Sequence, residues 1–176
     1  MSDQMVPPPP PPPPSPSSGG GGFDANAAVD QFKGADPLDL AVVGAGVLAL
    51  IFSWFSSFYT VHVSFAGYSA GGGTSAWHGF FGWAGVLLLL AASAVVAAKI
   101  VNITVPNEDL IVVGTSVVGL LFVLLALFVD VGNTGALAGT GISEGRGWSY
   151  WIVLILAIAS GGISGMKFAK ARGLMK

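Results

Sequence analysis

The constraint that dominates this sequence is four long apolar stretches with no Asp, Glu, Lys or Arg near the middle of any of them: about Asp39 to Val61, Trp77 to Ala98, Asp109 to Val131 and Trp148 to Met166. Each approaches the ~20 residues that a helix needs to cross a bilayer. In hydrocarbon every backbone N–H and C=O must be satisfied within its own segment, so such stretches fold as helices or as strands of a closed barrel. A barrel strand alternates polar and apolar residues. The runs Leu87–Leu90 and Leu120–Leu127 do not, which leaves helices. The rest of the composition agrees. Hydrophobic residues make up 53% of the 176 residues and charged residues only 9%, against roughly 25% charged in a soluble domain. Mean hydropathy is +0.75. The expected fold class is therefore an all-α membrane protein, a four-transmembrane-helix bundle.

Three regions follow: a disordered Pro/Gly-rich cytoplasmic tail (1–37), the bundle (38–170) and a short basic C-terminal tail (171–176). The first opens with a proline run from Pro7 to Pro14, then a Ser-rich stretch and Gly19 to Gly22. Polyproline is extended and semi-rigid, Gly/Ser is flexible, and neither builds a core. With no basic n-region and no apolar h-region, the segment does not read as a signal peptide. Residues 24–33 suggest a short helix with Asp24 as N-cap and Val29 and Phe32 on one face. Asp36-Pro37-Leu38-Asp39 is a helix-start signal. Ser75 and Asn107 are candidate caps for the second and third spans. Glu108 and Asp109 suit the positive end of the third helix dipole.

An even number of spans puts both termini on one side. That side collects Lys33, Lys99, Lys167, Lys170, Arg172 and Lys176, while the other holds only Arg146. By the positive-inside rule the basic side is cytoplasmic, so the expected location is the plasma membrane, multi-pass, with both termini inside. Most of the aromatic residues, among them Tyr68, Trp77, Trp83, Trp148 and Trp151, cluster at the opposite ends of the spans, as interfacial rings do. Tyr59–Phe65 alternates apolar and polar, which fits a strand at the membrane exit or the last turns of span one. Gly67–Thr74 and Gly132–Gly147 read as glycine-rich outer loops.

The chemistry-bearing residues are few. Without cysteine there are no disulfides, thiolate sites or cysteine nucleophiles. A net charge of −2 offers no nucleic-acid footprint. The two histidines, His62 and His78, fall near the outer face. They fit a bis-His cofactor site, a pH sensor, or interfacial rings bonded to loop backbone. Asp130, Glu144 and Arg146 sit at the outer edge, where water reaches them. The lack of mid-span charge disfavours a proton-coupled transporter, voltage sensor or pump. Hydroxyls at Ser53, Ser57, Thr60 and Ser64, with Ser93, Thr115, Ser116 and Ser160, form either a polar seam or local bonds to backbone. Gly161 and Gly165 form a GxxxG pair that predicts close helix packing in span four, within the bundle or against another subunit, and Leu154→Ala should be mild if that residue faces lipid.

The Trp77-His78-Gly79-Phe80-Phe81-Gly82-Trp83 stretch entering span two, with the proline run and the four spans, resembles uncharacterised actinobacterial four-span membrane proteins with a Pro-rich N-terminal tail. The resemblance implies a bacterial plasma membrane and carries over no catalytic residue, metal or cofactor. The expected function is a non-enzymatic small integral membrane protein, a scaffold or accessory subunit of a membrane complex. Its partners would be the lipid bilayer, a cytoplasmic protein that binds the polyproline tail, and a membrane-protein partner or second copy. The alternative is a subunit of an oligomeric channel or transporter.

Overall fold

The computed structural model describes residues 25–129 and 141–175. Five helices and three strands follow in the order α1 (Ala25–Gly34), α2 (Pro37–Ser53), β1 (Tyr59–Phe65), β2 (Tyr68–Thr74), α3 (Phe80–Ile100), α4 (Glu108–Leu125), β3 (Ile142–Arg146) and α5 (Trp148–Ala171), with a single 3₁₀ turn at Ala76–His78. The proline run, Asp24 and Asp130 lie outside the described residues. The last part of the expected tail is helical, since α1 occupies Ala25–Gly34.

The start of α2 follows from its sequence. A residue before proline is pushed out of the helical region, and Asp36 sits at φ −56°, ψ 127°. Its carboxylate accepts the Leu38 N–H at 3.0 Å, and Pro37, which has no N–H to lose, opens the helix. The other two expected caps differ. Asn107 stands at the N-cap of α4, but at φ 54° its side chain makes no capping bond. Ser75 caps no long helix and instead precedes the 3₁₀ turn, three residues ahead of α3.

Helices α2, α3, α4 and α5 pack in a ring, each against the next and α5 against α2. Three of them, α3, α4 and α5, are long and apolar enough to cross a membrane, and a fourth span is reached only by counting α1 with α2. Taken alone, α2 has 17 residues, at the short end of the spanning range. It stops at Ser53, not near Val61, because the chain turns through Trp54–Phe58 and enters a strand. Helix α4 likewise ends at Leu125, and α5 runs past Met166 to Ala171.

The all-α expectation is corrected by a three-stranded antiparallel sheet in the order β2-β1-β3. Of the two readings of Tyr59–Phe65, the strand is the one formed. Most of the presumed loop Gly67–Thr74 is strand β2, and Ile142–Arg146 of the second presumed loop is β3. The pair Phe65↔Tyr68 closes a two-residue hairpin turn in which Ala66 (φ 49°) and Gly67 (φ 86°) are both left-handed. That geometry matches the right-handed twist of the flanking strands. The register pairs Tyr59 with both Thr74 and Arg146, and Val61 with both Gly72 and Glu144, so these share one face. Thr60, His62 and Ser64, with Gly73, Gly71, Ser69, Gly145 and Ser143, form the other.

Buried Ala49, Val86, Leu89, Val123, Val153 and Ala157 fill the centre of the ring. Outward, Val47, Leu87, Val118, Leu121, Ile155 and Ile158 are all exposed, so these helices are apolar on every side, as membrane-spanning helices are. Leu154 is among the buried residues at 9% exposure, so it packs in the core and does not face lipid. The tight crossings are also elsewhere than the GxxxG pair suggests. A Cβ on Gly46 would strike Ser93 and lie 2.8 Å from the Leu89 carbonyl, and one on Gly85 would lie 2.9 Å from Val123 and 3.1 Å from the Gly119 carbonyl. At Gly161 it would meet Leu120 at an ordinary 3.5 Å, and at Gly165 it would meet nothing.

Gly46→Ala and Gly85→Ala should therefore each destabilise the fold by about 1–3 kcal/mol, the usual cost of overpacking. Gly44→Ala and Gly165→Ala enter open space and should be neutral or slightly stabilising, because alanine is the better helix former. Thermal unfolding in detergent separates the two pairs.

Candidate functional site

The polar chemistry of the ring is split between its two ends. At the basic end, Lys167 on α5 donates to Asp36 Oδ2 at 2.7 Å and to Asp39 Oδ1, tying the last turns of α5 to the start of α2. Lys99 at the end of α3 pairs with Glu108 at the start of α4 at 3.0 Å. Each lysine sits in the last part of its helix and each acid in the first turn of the next, so every charge also opposes its own helix dipole. The bond from Lys167, helped by the Leu38 N–H, holds the Asp36 carboxyl below its ordinary 3.8. Between the pairs lies a cavity of about 30 Å³ lined by Asp39, Lys99, Glu108, Asp109, Ser164 and Lys167, room for one or two water molecules.

Ser164 leads inward from this cavity. Its hydroxyl and that of Ser160 each lie 3.3 Å from the Ser116 hydroxyl, a buried triangle between α4 and α5. The buried core cluster, with Ala49, Leu89 and Ala157, is apolar. The remaining helix hydroxyls of the expected seam bond to backbone of their own helix or, for Ser93, also of its neighbour. Ser93 donates to the Val42 and Leu89 carbonyls, Ser53 to Leu50, and Thr115 back to Ile111. Thr60 and Ser64 are on β1 and share no helix with Ser53 and Ser57. The expected seam is thus two separated polar layers with an apolar layer between them.

At the sheet end the organising side chain is Arg146, the last residue of β3. Its guanidinium donates to the carbonyls of Ala126 and Val129 at 2.9 Å, Leu127 at 3.3 Å and its own Gly145 at 3.1 Å. The end of a helix leaves carbonyls without intrahelical partners, and here one planar fork of donors satisfies those at and just beyond the end of α4. The same guanidinium lies 4.8 Å from the centre of the Tyr59 ring. Burial pushes the Tyr59 hydroxyl above its ordinary 10.0, with Arg146 acting in the opposite direction. Gly79 and Gly82 make room for that ring, since a Cβ on either would come within 2.6–2.7 Å of its hydroxyl. Tyr150 donates to the Val123 carbonyl at 3.0 Å, and Ser57 bonds Ser149 at 3.1 Å.

Above Tyr59 a cavity of about 460 Å³ opens between the sheet and the 3₁₀ turn, lined by Tyr59, Thr60, Val61, Gly72, Gly73, Thr74, His78 and Glu144. The Thr74 hydroxyl is buried there without a partner. Of the two histidines only His78 lines it, with Nδ1 3.4 Å from the Ser75 hydroxyl. His62 lies on the other face of the sheet, its ring against Gly71. The structure does not bring the two rings to one site. Among the described residues no group of three or more His, Asp or Glu gathers as a metal site would. Arg146 is the functional side chain that the sequence understated. Its signal was being the only cation on its side of the chain, a few residues past an apolar stretch.

Comparison with known family models, with curated proteins and with solved structures finds no match to this chain.

Two outcomes are expected. Arg146→Met should cost about 2 kcal/mol and expose α4 to fraying, and Arg146→Lys should recover little, because an ammonium cannot span three carbonyls. Hydrogen exchange at the end of α4 reports this directly. The second concerns acid. A carboxyl whose folded pKa lies below its unfolded value of 3.8 contributes stability at higher pH and loses it as the pH falls through the folded value. The melting temperature should fall below about pH 4, and in Lys167→Met that fall should be shallower.

Proposed function

We propose that the chain is a non-enzymatic integral membrane protein whose helices α2–α5 form a four-span bundle, with both termini on the basic, cytoplasmic side. It serves as a scaffold or accessory subunit. The bundle carries the sheet on the outer face and, on the inner face, the proline-rich segment of residues 7–14. The observation that carries this reading is the filled interior: apolar side chains close the ring between its two polar layers, so a single copy has no conduit to offer. Three further features support it. Helices α3, α4 and α5 have the length and apolarity of spans. Exposed Trp54, Trp77, Trp148 and Trp151 encircle the sheet end, where interfacial rings belong. Among the described residues the cations, apart from Arg146, collect at the other end.

Polyproline is already extended and loses little entropy on docking, which suits it to a cytoplasmic partner with an aromatic-lined groove. The sheet, with β2 and β3 at its edges among the described residues, suits a membrane or extracellular protein. The alternative, a subunit of an oligomeric channel or transporter, draws its support from the small charged cavity and the serine triangle behind it. In that case the path would run between copies.

Proteoliposomes containing the purified protein should pass protons, Na⁺ and K⁺ no faster than empty vesicles, and a clear flux would sink the scaffold reading in favour of the channel. Because the chain has no cysteine, topology is directly testable. Tyr68→Cys should react with an impermeant maleimide outside intact cells, and Leu174→Cys only after permeabilisation.

A further inference from the structure

The element that the bundle leaves unexplained is α1. Among the five helices it alone segregates its side chains. Ala28, Val29 and Phe32 fall within a sector of about 100°, with Asp30, Gln31 and Lys33 outside it. Ten residues make a marginal helix in water, so something must cover that face. The protein does so only in part: Ala28 is buried, but Val29 is 52% exposed. The polar side supplies Gln31 to the cleft lined by Asp36, Asp39, Lys99 and Ile100.

The direction of α1 is set just as firmly. Pro37 forces Asp36 out of the helical region, and the chain turns through 118° between α1 and α2. If α2 runs along the membrane normal, α1 lies 118° − 90° = 28° from the membrane plane. The α2 side of the joint is anchored by the Lys167 bonds to Asp36, its N-cap, and to Asp39 in its first turn. It also lies at the level of the basic end, where the exposed apolar belt of the bundle begins at Leu38.

We propose that α1 is an interfacial helix that lies in the leaflet on the basic side, with Val29 and Phe32 among the acyl chains and Asp30 and Lys33 in the headgroup region. The occupant of its apolar face is the lipid surface, continuous with the belt that covers α2. This rests on the membrane reading above.

Single-cysteine spin labels on the full chain in phosphatidylcholine–phosphatidylglycerol vesicles test both together. Labels go at Val29→Cys, Asp30→Cys and Ile155→Cys, the last on the exposed outer face of α5. The readout is relaxation by oxygen, which concentrates in lipid, against a water-soluble nickel chelate. The expected result is a strong oxygen response at Ile155 and an oxygen-to-nickel ratio several-fold higher at Val29 than at Asp30. Equal ratios at Val29 and Asp30, with Ile155 still in lipid, would overturn the interfacial helix and leave the bundle in the membrane. A nickel-dominated response at Ile155 would overturn both.

Discussion

Arg146 holds the two parts of this molecule together. The strands lie in the segments between α2 and α3 and between α4 and α5, and short linkers join them to those helices. The tie to α4 is one guanidinium that closes the end of that helix while its backbone is paired in β3. Tyr59 lies beneath that group and is itself seated on Gly79 and Gly82 at the head of α3. Removing the charge would release the α4 carbonyls, the aromatic ring and the edge of the sheet at once, so their contributions are coupled and would not add independently.

The helices depend on a different economy. When every face is apolar there is no hydrophobic preference for one neighbour over another in lipid, and close packing decides the arrangement. The glycines at Gly46 and Gly85 let α2, α3 and α4 approach until backbone meets backbone. The lysine–carboxylate pairs at the basic end then set which helix ends are adjacent. Their placement at opposite dipole ends makes the antiparallel order of the ring electrostatically consistent.

Much of this was legible before any coordinates. The four apolar stretches fall on the four long helices, and Asp36-Pro37 marks a helix start because proline restricts its predecessor whatever the tertiary context. The sheet was harder to see. Strand β2 is Tyr-Ser-Ala-Gly-Gly-Gly-Thr, a composition that disfavours strands, and it forms because β1 offers a ladder and because side chains such as His62 need a bare backbone opposite. The GxxxG pair forms no tight crossing inside the bundle, for a related reason. Spacing shows that Gly161 and Gly165 share a face, but the rotation of α5 in the ring decides what that face meets, and it turns Ser160 and Ser164 inward. The same rotation turns Leu154 into the core, so the condition for a mild Leu154→Ala is not met. The histidines were placed correctly near one end, yet the register of β1 sends His62 to the opposite face from the cavity that His78 lines.

The clamp at Arg146 has one more consequence, for the continuity of the chain. Arg146 holds the Val129 carbonyl, and the Ser64 N–H bonds the Gly141 carbonyl at 2.7 Å. The two chain ends that flank residues 130–140 are therefore each tied to the folded part on their own account, one through the end of α4 and the other through β1. A single cut between them would leave both ends held by bonds that do not run through the severed peptide.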